Sequence, residues 1–195
     1  MNWNDISIKK YKMIEEASKE TDIMKRSIKL LAIVEDKEEK DYYDLPIGDL
    51  KMKMSKLLFM AEKPEGKFKD KIVINETTYY LQDRINKWPA IQYIDYMNVV
   101  AEEDLDIAKV MAIIYMPKGL VYGETYDPID YYELFLDNIS IIDAFSAADF
   151  FFNSYQILIK TMVKYSLKEK RKKKNKMILK IQWLVNRIKQ KFGIH

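Results

Sequence analysis

Apolar residues recur every three or four positions along most of this chain, and in one stretch the period drops to two. A first helix is predicted from near Asp5 or Ser7, with Ile8, Tyr11 and Ile14 on one side. Thr21 or Asp22 offers an N-cap for a second helix over 23–34. Met24, Ile28, Leu31 and Ala32 fall at helical spacing there, while Leu30, Ile33 and Val34 widen the apolar face, so this helix is expected to be largely buried. Residues 36–44 read as a charged loop. Pro46 then stands where a helix starts without losing a hydrogen bond. Ile47, Leu50, Met54, Leu57, Leu58 and Ala61 follow as the cleanest helical pattern of the sequence, closed by Pro64 and Gly66.

The period of two appears near 71–82. Ile72, Val73 and Ile74 precede Asn75-Glu-Thr-Thr78, and Tyr79, Tyr80 and Leu81 follow. β-Branched and aromatic residues around an Asn-led turn predict a hairpin, which must pack on something because an isolated hairpin is marginal in water. Glu76 stands where a two-residue type I′ turn favours glycine, so a longer loop is expected.

Helical spacing returns after Trp88-Pro89, with Ala90, Tyr93, Ile94 and Met97 as the repeating set. Glu102-Glu-Asp104 suits a further helix start, because negative charge is favourable at the positive end of the helix dipole. Ile107, Val110, Met111 and Ile114 would be its apolar face, and Pro117 and Gly119 its stop. Tyr122 and Tyr126 fall in a loop, Pro128 opens a short helix through Tyr132 and Phe135, and a long apolar helix is predicted over 141–165. A last amphipathic segment carries Met177, Ile178, Ile181, Leu184, Val185, Ile188 and Phe192. The resulting fold class is mainly α (α+β): a helical domain with one small β-hairpin and a C-terminal amphipathic helix.

Charge divides the chain in two. Residues 166–195 carry 11 of the 33 basic residues and one of the 30 acidic ones, a net of +10, which leaves 1–165 at −7. An acidic helical body over 1–165 is therefore followed by a basic arm over 166–195. Such a split points to an acidic partner for the arm, or to an acidic surface of the same protein or of another copy. At 195 residues and 48% hydrophobic content, the body has enough apolar surface for a sizeable core.

Composition also excludes chemistry. Without cysteine there is no disulfide framework, thiol nucleophile or thiolate zinc site. The one histidine is His195, which removes the usual neutral-pH base and the commonest transition-metal ligand. The carboxylates Glu102, Glu103, Asp104 and Asp106 match no calcium-loop spacing and read as a helix N-terminus. The 14 tyrosines lie mostly in the acidic body, which favours a core or interface role over stacking on nucleic acid bases. No catalytic residue, metal ligand or cofactor site is expected. No basic-then-apolar leader is visible at the start, and Asp143 and Asp149 interrupt the most apolar run, so no membrane span is expected. The remaining candidates lie in the arm: Lys168, Lys170, Arg171, Lys172, Lys173, Lys174 and Lys176, with Trp183 and Arg187 beyond. They suit contact with an acidic protein surface, with nucleic acid through phosphate neutralisation, or with an anionic membrane surface; the plainer reading is a solvated connector between two helices.

Three stretches in order carry a likeness. Tyr43-Asp-Leu-Pro-Ile-Gly-Asp-Leu50 followed by Met54-Ser-Lys-Leu-Leu-Phe-Met60 is the first, Ile72-Val-Ile-Asn-Glu-Thr-Thr-Tyr-Tyr-Leu81 the second and Gln92-Tyr-Ile-Asp95 the third, with Phe150-Phe-Phe152 further on. Together they resemble small tail-assembly and baseplate-hub accessory proteins of tailed bacteriophages, including those of crAss-like and other Bacteroidetes phages. Two departures are Glu76, where that group typically has glycine, and the strongly basic C-terminal extension. The resemblance implies a non-enzymatic virion structural protein of the portal–tail assembly (a ring, connector or hub component), assembled in the host cytoplasm and acting by protein–protein contacts. Its partners would be other phage tail or portal proteins and further copies of itself in a homo-oligomer. A transient tail-assembly chaperone absent from the mature virion is the alternative within the same group. A nucleic-acid-binding protein using the basic arm is the alternative outside it.

Overall fold

Short polar side chains set most helix starts. Ser7 Oγ accepts from the Lys10 N–H and opens α1 (Ile8–Ala17). Asp22 accepts from the N–H groups of Met24 and Lys25 and opens α2 (Ile23–Glu35), which ends at Asp36 in the left-handed region, φ 54°. A single turn, α3 (Lys40–Tyr43), and then α4 (Ile47–Met54) follow, and the chain tightens into a 3-10 stretch over Ser55–Ala61. The strands β1 (Lys71–Ile74) and β2 (Thr77–Leu81) lead to α5 (Ala90–Val100) and α6 (Ile107–Ile114). Strand β3 (Tyr115–Pro117) runs directly out of α6. Helix α7 (Pro128–Asn138) starts with Asp127 as its cap, and residues 141–151 form α8. The computed structural model describes residues 2–151, which belong to one compact unit, so the predicted segment 152–165 and the basic arm lie outside the described residues. Mainly helical with a small antiparallel sheet, the architecture agrees with the fold class expected from the pattern.

The sheet has the order β1-β2-β3, all antiparallel, with Ile72 opposite Tyr79 and Leu81 opposite Tyr115. Burial alternates along the strands. Ile72, Ile74, Tyr79 and Leu81 face the core, while Val73 and Tyr80 face outward. Tyr79 sets its ring edge against Phe135 of α7 at 5.2 Å. The sheet thus packs where α6 and α7 meet, which gives the hairpin the support that it needs.

Helix α6 lies at the centre of the largest core cluster, and seven of its eight residues are buried. A helix buried along most of its surface, as here with only Lys109 exposed, cannot give its terminal carbonyls to water, so each needs a protein donor. Met111 O accepts the Tyr115 N–H. Ala112 O accepts the Tyr126 hydroxyl at 2.6 Å, Ile113 O accepts Gln92 Nε2 at 2.8 Å, and Ile114 O accepts the Gln82 N–H at 2.8 Å. At the other end Asp106 Oδ1 accepts the Ala108 N–H at 3.1 Å. Two smaller clusters complete the core, one around Trp3, Ile14 and Ile142 and one around Leu31, Tyr42 and Leu50.

Several expectations are corrected. Residues 36–44 are not all loop: α3 turns Tyr42 inward, where its ring is 1% exposed. The pattern over 47–61 is not one buried helix. After Met54 the 3-10 geometry has three residues per turn, which shifts the apolar stripe out of phase and leaves Leu58 exposed. Phe59 instead meets the Trp3 ring at 5.0 Å, and only Leu50 of α4 is buried. On α2 the face is buried at Ile28, Leu31, Ala32 and Val34, but Met24 at the start of the helix is exposed. The hairpin has a two-residue turn after all, with Asn75 at φ 47° and Glu76 at φ 65°, both in the left-handed region that a type I′ turn requires. On α5 the buried face is Gln92, Tyr96 and Val99, and Ile94 is exposed. Apolar residues surround that helix, so period alone did not fix its orientation; the amide needed at Ile113 O does. Helix α6 starts at Ile107, after the acidic run, and it stops before Pro117 because Tyr115 already pairs with β2.

Two stability outcomes are expected. Glu76→Gly should raise unfolding free energy by roughly 0.5–1 kcal/mol, because glycine occupies the left-handed region without a Cβ penalty. Gln92→Leu should lower it by about 1–3 kcal/mol by leaving the Ile113 carbonyl buried and unpaired. Urea denaturation of each variant against the parent measures both; an unchanged midpoint for Gln92→Leu would show that the carbonyl finds another donor.

Candidate functional site

Two polar clusters join separate elements. In the first, Glu35 at the end of α2 accepts Lys56 Nζ at 2.5 Å and the Tyr42 hydroxyl at 2.9 Å, with Lys37 and Lys53 at 3.6 and 3.7 Å. The Lys56 hydrogen bond leads the forces that hold its carboxyl down at about 2; burial opposes them, and the Tyr42 hydroxyl and the charge of Lys53 add to them. Burial and the same carboxylate push the Tyr42 hydroxyl up. In the second, Asp106 Oδ2 accepts Lys12 Nζ and the Tyr132 hydroxyl, both at 2.9 Å, so α1, the start of α6 and α7 meet on one carboxylate. Burial works against the charge of Asp106, but the Lys12 and Tyr132 hydrogen bonds outweigh it and its carboxyl is lowered. Lys12 is raised for the matching reason. Glu35, Asp106 and Lys12 are thus held in their charged forms. Both clusters act as pins between elements.

The acidic run read as a helix start has divided roles. Asp106 is the cap, and Glu102 accepts Lys109 Nζ at 3.1 and 3.2 Å. Among the described residues no group of three or more His, Cys, Asp or Glu side chains could hold a metal ion. No helix of the described residues is long and apolar enough to cross a membrane. The arm candidates Lys168, Lys170, Arg171, Lys172, Lys173, Lys174, Lys176, Trp183 and Arg187 lie outside the described residues. The tyrosines read as core or interface do pack: Tyr42, Tyr96, Tyr115, Tyr122 and Tyr126 are buried.

A surface feature remains that the packing does not use. Helices α5, α6 and α7 enclose a groove of about 650 Å³. Val99 and Ile113 lie along its floor, and Ile129, 79% exposed, stands at its edge. Its carboxylates are Asp95, Asp127 and Glu133, and its one lysine is Lys109, already held by Glu102. Asp95 accepts the Tyr122 hydroxyl at 2.9 Å, and Asp127 caps α7 through the Ile129 N–H at 2.9 Å, so both have fixed positions. A wider cleft between α1, α2 and the 3-10 stretch is lined by acidic and basic residues alike, Glu15, Glu16, Lys19 and Arg26 among them, and favours no sign of charge. The α5–α7 groove joins an apolar floor to an acidic rim and suits a cationic amphipathic ligand.

Sequence reasoning did not find this groove. Asn98, Ile129 and Glu133 look like ordinary helix surface, and only the packing of α5 and α7 on α6 brings them to one place. Within Gln92-Tyr-Ile-Asp95 the two polar side chains have separate partners: the Gln92 amide caps α6, and the Asp95 carboxylate accepts the Tyr122 hydroxyl.

The depressed carboxyl of Glu35 makes stability depend on acid. Its contribution is complete above the ordinary value of 4.5 and is lost as pH falls through about 2. Thermal melts between those limits should therefore show a smaller loss of Tm for Glu35→Gln than for the parent; equal slopes would remove Glu35 from the acid response. Compared with protein-family models, curated proteins and solved structures, the chain matches none.

Proposed function

We propose that this chain is a non-enzymatic structural protein of an oligomeric assembly, acting by protein–protein contact, and that the assembly is the portal–tail region of a tailed bacteriophage. The observation that carries the contact mechanism is the acidic-rimmed apolar groove on a body whose described residues hold 29 acidic and 20 basic side chains, in a chain whose arm has a net charge of +10. A body of one sign and an arm of the other favour a head-to-tail contact between copies, and such a contact closes into a ring when the rotation permits. The place in a phage rests on the resemblance. Its motifs bear the fold: Leu50 fills a core cluster, Tyr79 and Leu81 line the buried face of the sheet, and Gln92 caps the central helix.

Removal of residues 166–195 tests the contact. The full chain should form concentration-dependent oligomers by light scattering at about 50 mM salt, where charges are weakly screened, and the truncated chain should stay monomeric. Undiminished assembly of the truncated chain would overturn the mechanism. Mass spectrometry of purified particles tests the place: a structural component is present in fixed stoichiometry, whereas absence would favour a transient chaperone. Steeply salt-dependent binding of the full chain to arbitrary DNA would instead direct the arm to nucleic acid.

A further inference from the structure

We infer that the groove between α5, α6 and α7 is the receptor for the amphipathic segment 177–192 of a second copy of this chain. The inference rests on the assembly reading above and names the two surfaces that meet. The first argument is shape of polarity. The groove has an apolar floor at Val99 and Ile113 with carboxylates at Asp95, Asp127 and Glu133. The segment has the complementary pattern in sequence. Met177, Ile178, Ile181, Leu184, Val185, Ile188 and Phe192 fall on one stripe at the helical period, with Leu179 and Trp183 outside it, and Lys180, Arg187 and Lys191, at steps of seven and four, fall along one flank of that stripe. A cationic rail beside an apolar stripe matches a carboxylate rim beside an apolar floor.

The second argument is charge within the groove. Among the described residues Lys109 is its only cation, and both Glu102 oxygens lie within 3.2 Å of that ammonium, so the three carboxylates leave the rim negative, which attracts a basic ligand and repels an acidic one. The third is reach. The segment has 16 residues, more than the 11 of α7, which forms one wall of the groove. Ile129, exposed on the rim, then has an apolar stripe to pack against.

Charge exchange between two variants tests the pairing. The groove variant carries Asn98→Lys, Ile129→Lys and Glu133→Lys, three exposed positions outside the core and outside the capping bonds. The arm variant carries Lys180→Glu, Arg187→Glu and Lys191→Glu. Each alone should associate at least about tenfold more weakly than the parent in sedimentation velocity at low salt, because like charges then face one another. An equimolar mixture should recover the parent's association, since each chain now offers what the other lacks. Matching circular dichroism spectra and melting temperatures confirm that the variants fold. Parent-like association of the groove variant would overturn the inference while leaving assembly through another surface intact. A mixture that stays monomeric would overturn it too, as expected if the segment instead docks on its own chain. A parent that never associates would remove the assembly reading, and this contact with it.

Discussion

The central constraint on this structure is the burial of α6, on which only Lys109 is exposed. An eight-residue helix has little stability of its own in water, so its formation depends on what surrounds it. Three of its last four carbonyls are served by groups distant in sequence, Gln82, Gln92 and Tyr126, and its first turn by Asp106, which also gathers Lys12 and Tyr132. Loss of any one donor would leave a desolvated carbonyl at a cost of about 1–3 kcal/mol. Helix, sheet and the loop before α7 are therefore tied to one another through these carbonyls.

That coupling explains what was and was not legible in the sequence. Local chemistry was readable where it acts locally. Ser7 and Asp22 cap the helices that they precede, Pro128 sits in the first turn of α7, and the alternation at 72–81 gives the hairpin. The failures share a physical cause, a distant partner that overrides a local pattern. The apolar set Ala90, Tyr93, Ile94 and Met97 marks α5 as a helix but not its buried face, because an amide is needed inside. Strand β3 was hidden by an apolar run that reads as helix until Tyr115 meets Leu81. The turn at Asn75-Glu76 breaks its own local preference because pairing on both sides, Ile74 with Thr77 and Tyr80 with Met116, holds the register. The groove was illegible for a further reason: its residues belong to three helices and are individually unremarkable.

Aromatic side chains perform much of the joining between these elements. Trp88 lies against Phe151 of α8 at 5.6 Å and edge-on to Tyr96 of α5 at the same distance, while Phe150 stacks on Phe68 at 4.2 Å. Consecutive phenylalanines thus face two different neighbours, one in the core and one in the segment before β1. Gly66 lies in the same segment, and a Cβ there would overlap Ile142, so the chain passes close over α8 only because that residue lacks a side chain. Large polar-tipped rings suit a protein that must be firm inside and still expose carboxylates and isolated isoleucines outside.

The absence of cysteine, together with a single histidine at the last position, has a consequence for regulation. Residues 2–151 contain no side-chain type that ordinarily gains or loses a proton between about pH 5 and 8. Among the described residues the groove accordingly holds neither an imidazole nor a thiol. Screening by dissolved ions and the local concentration of the chain would therefore weigh on any contact made through such a carboxylate-rimmed surface.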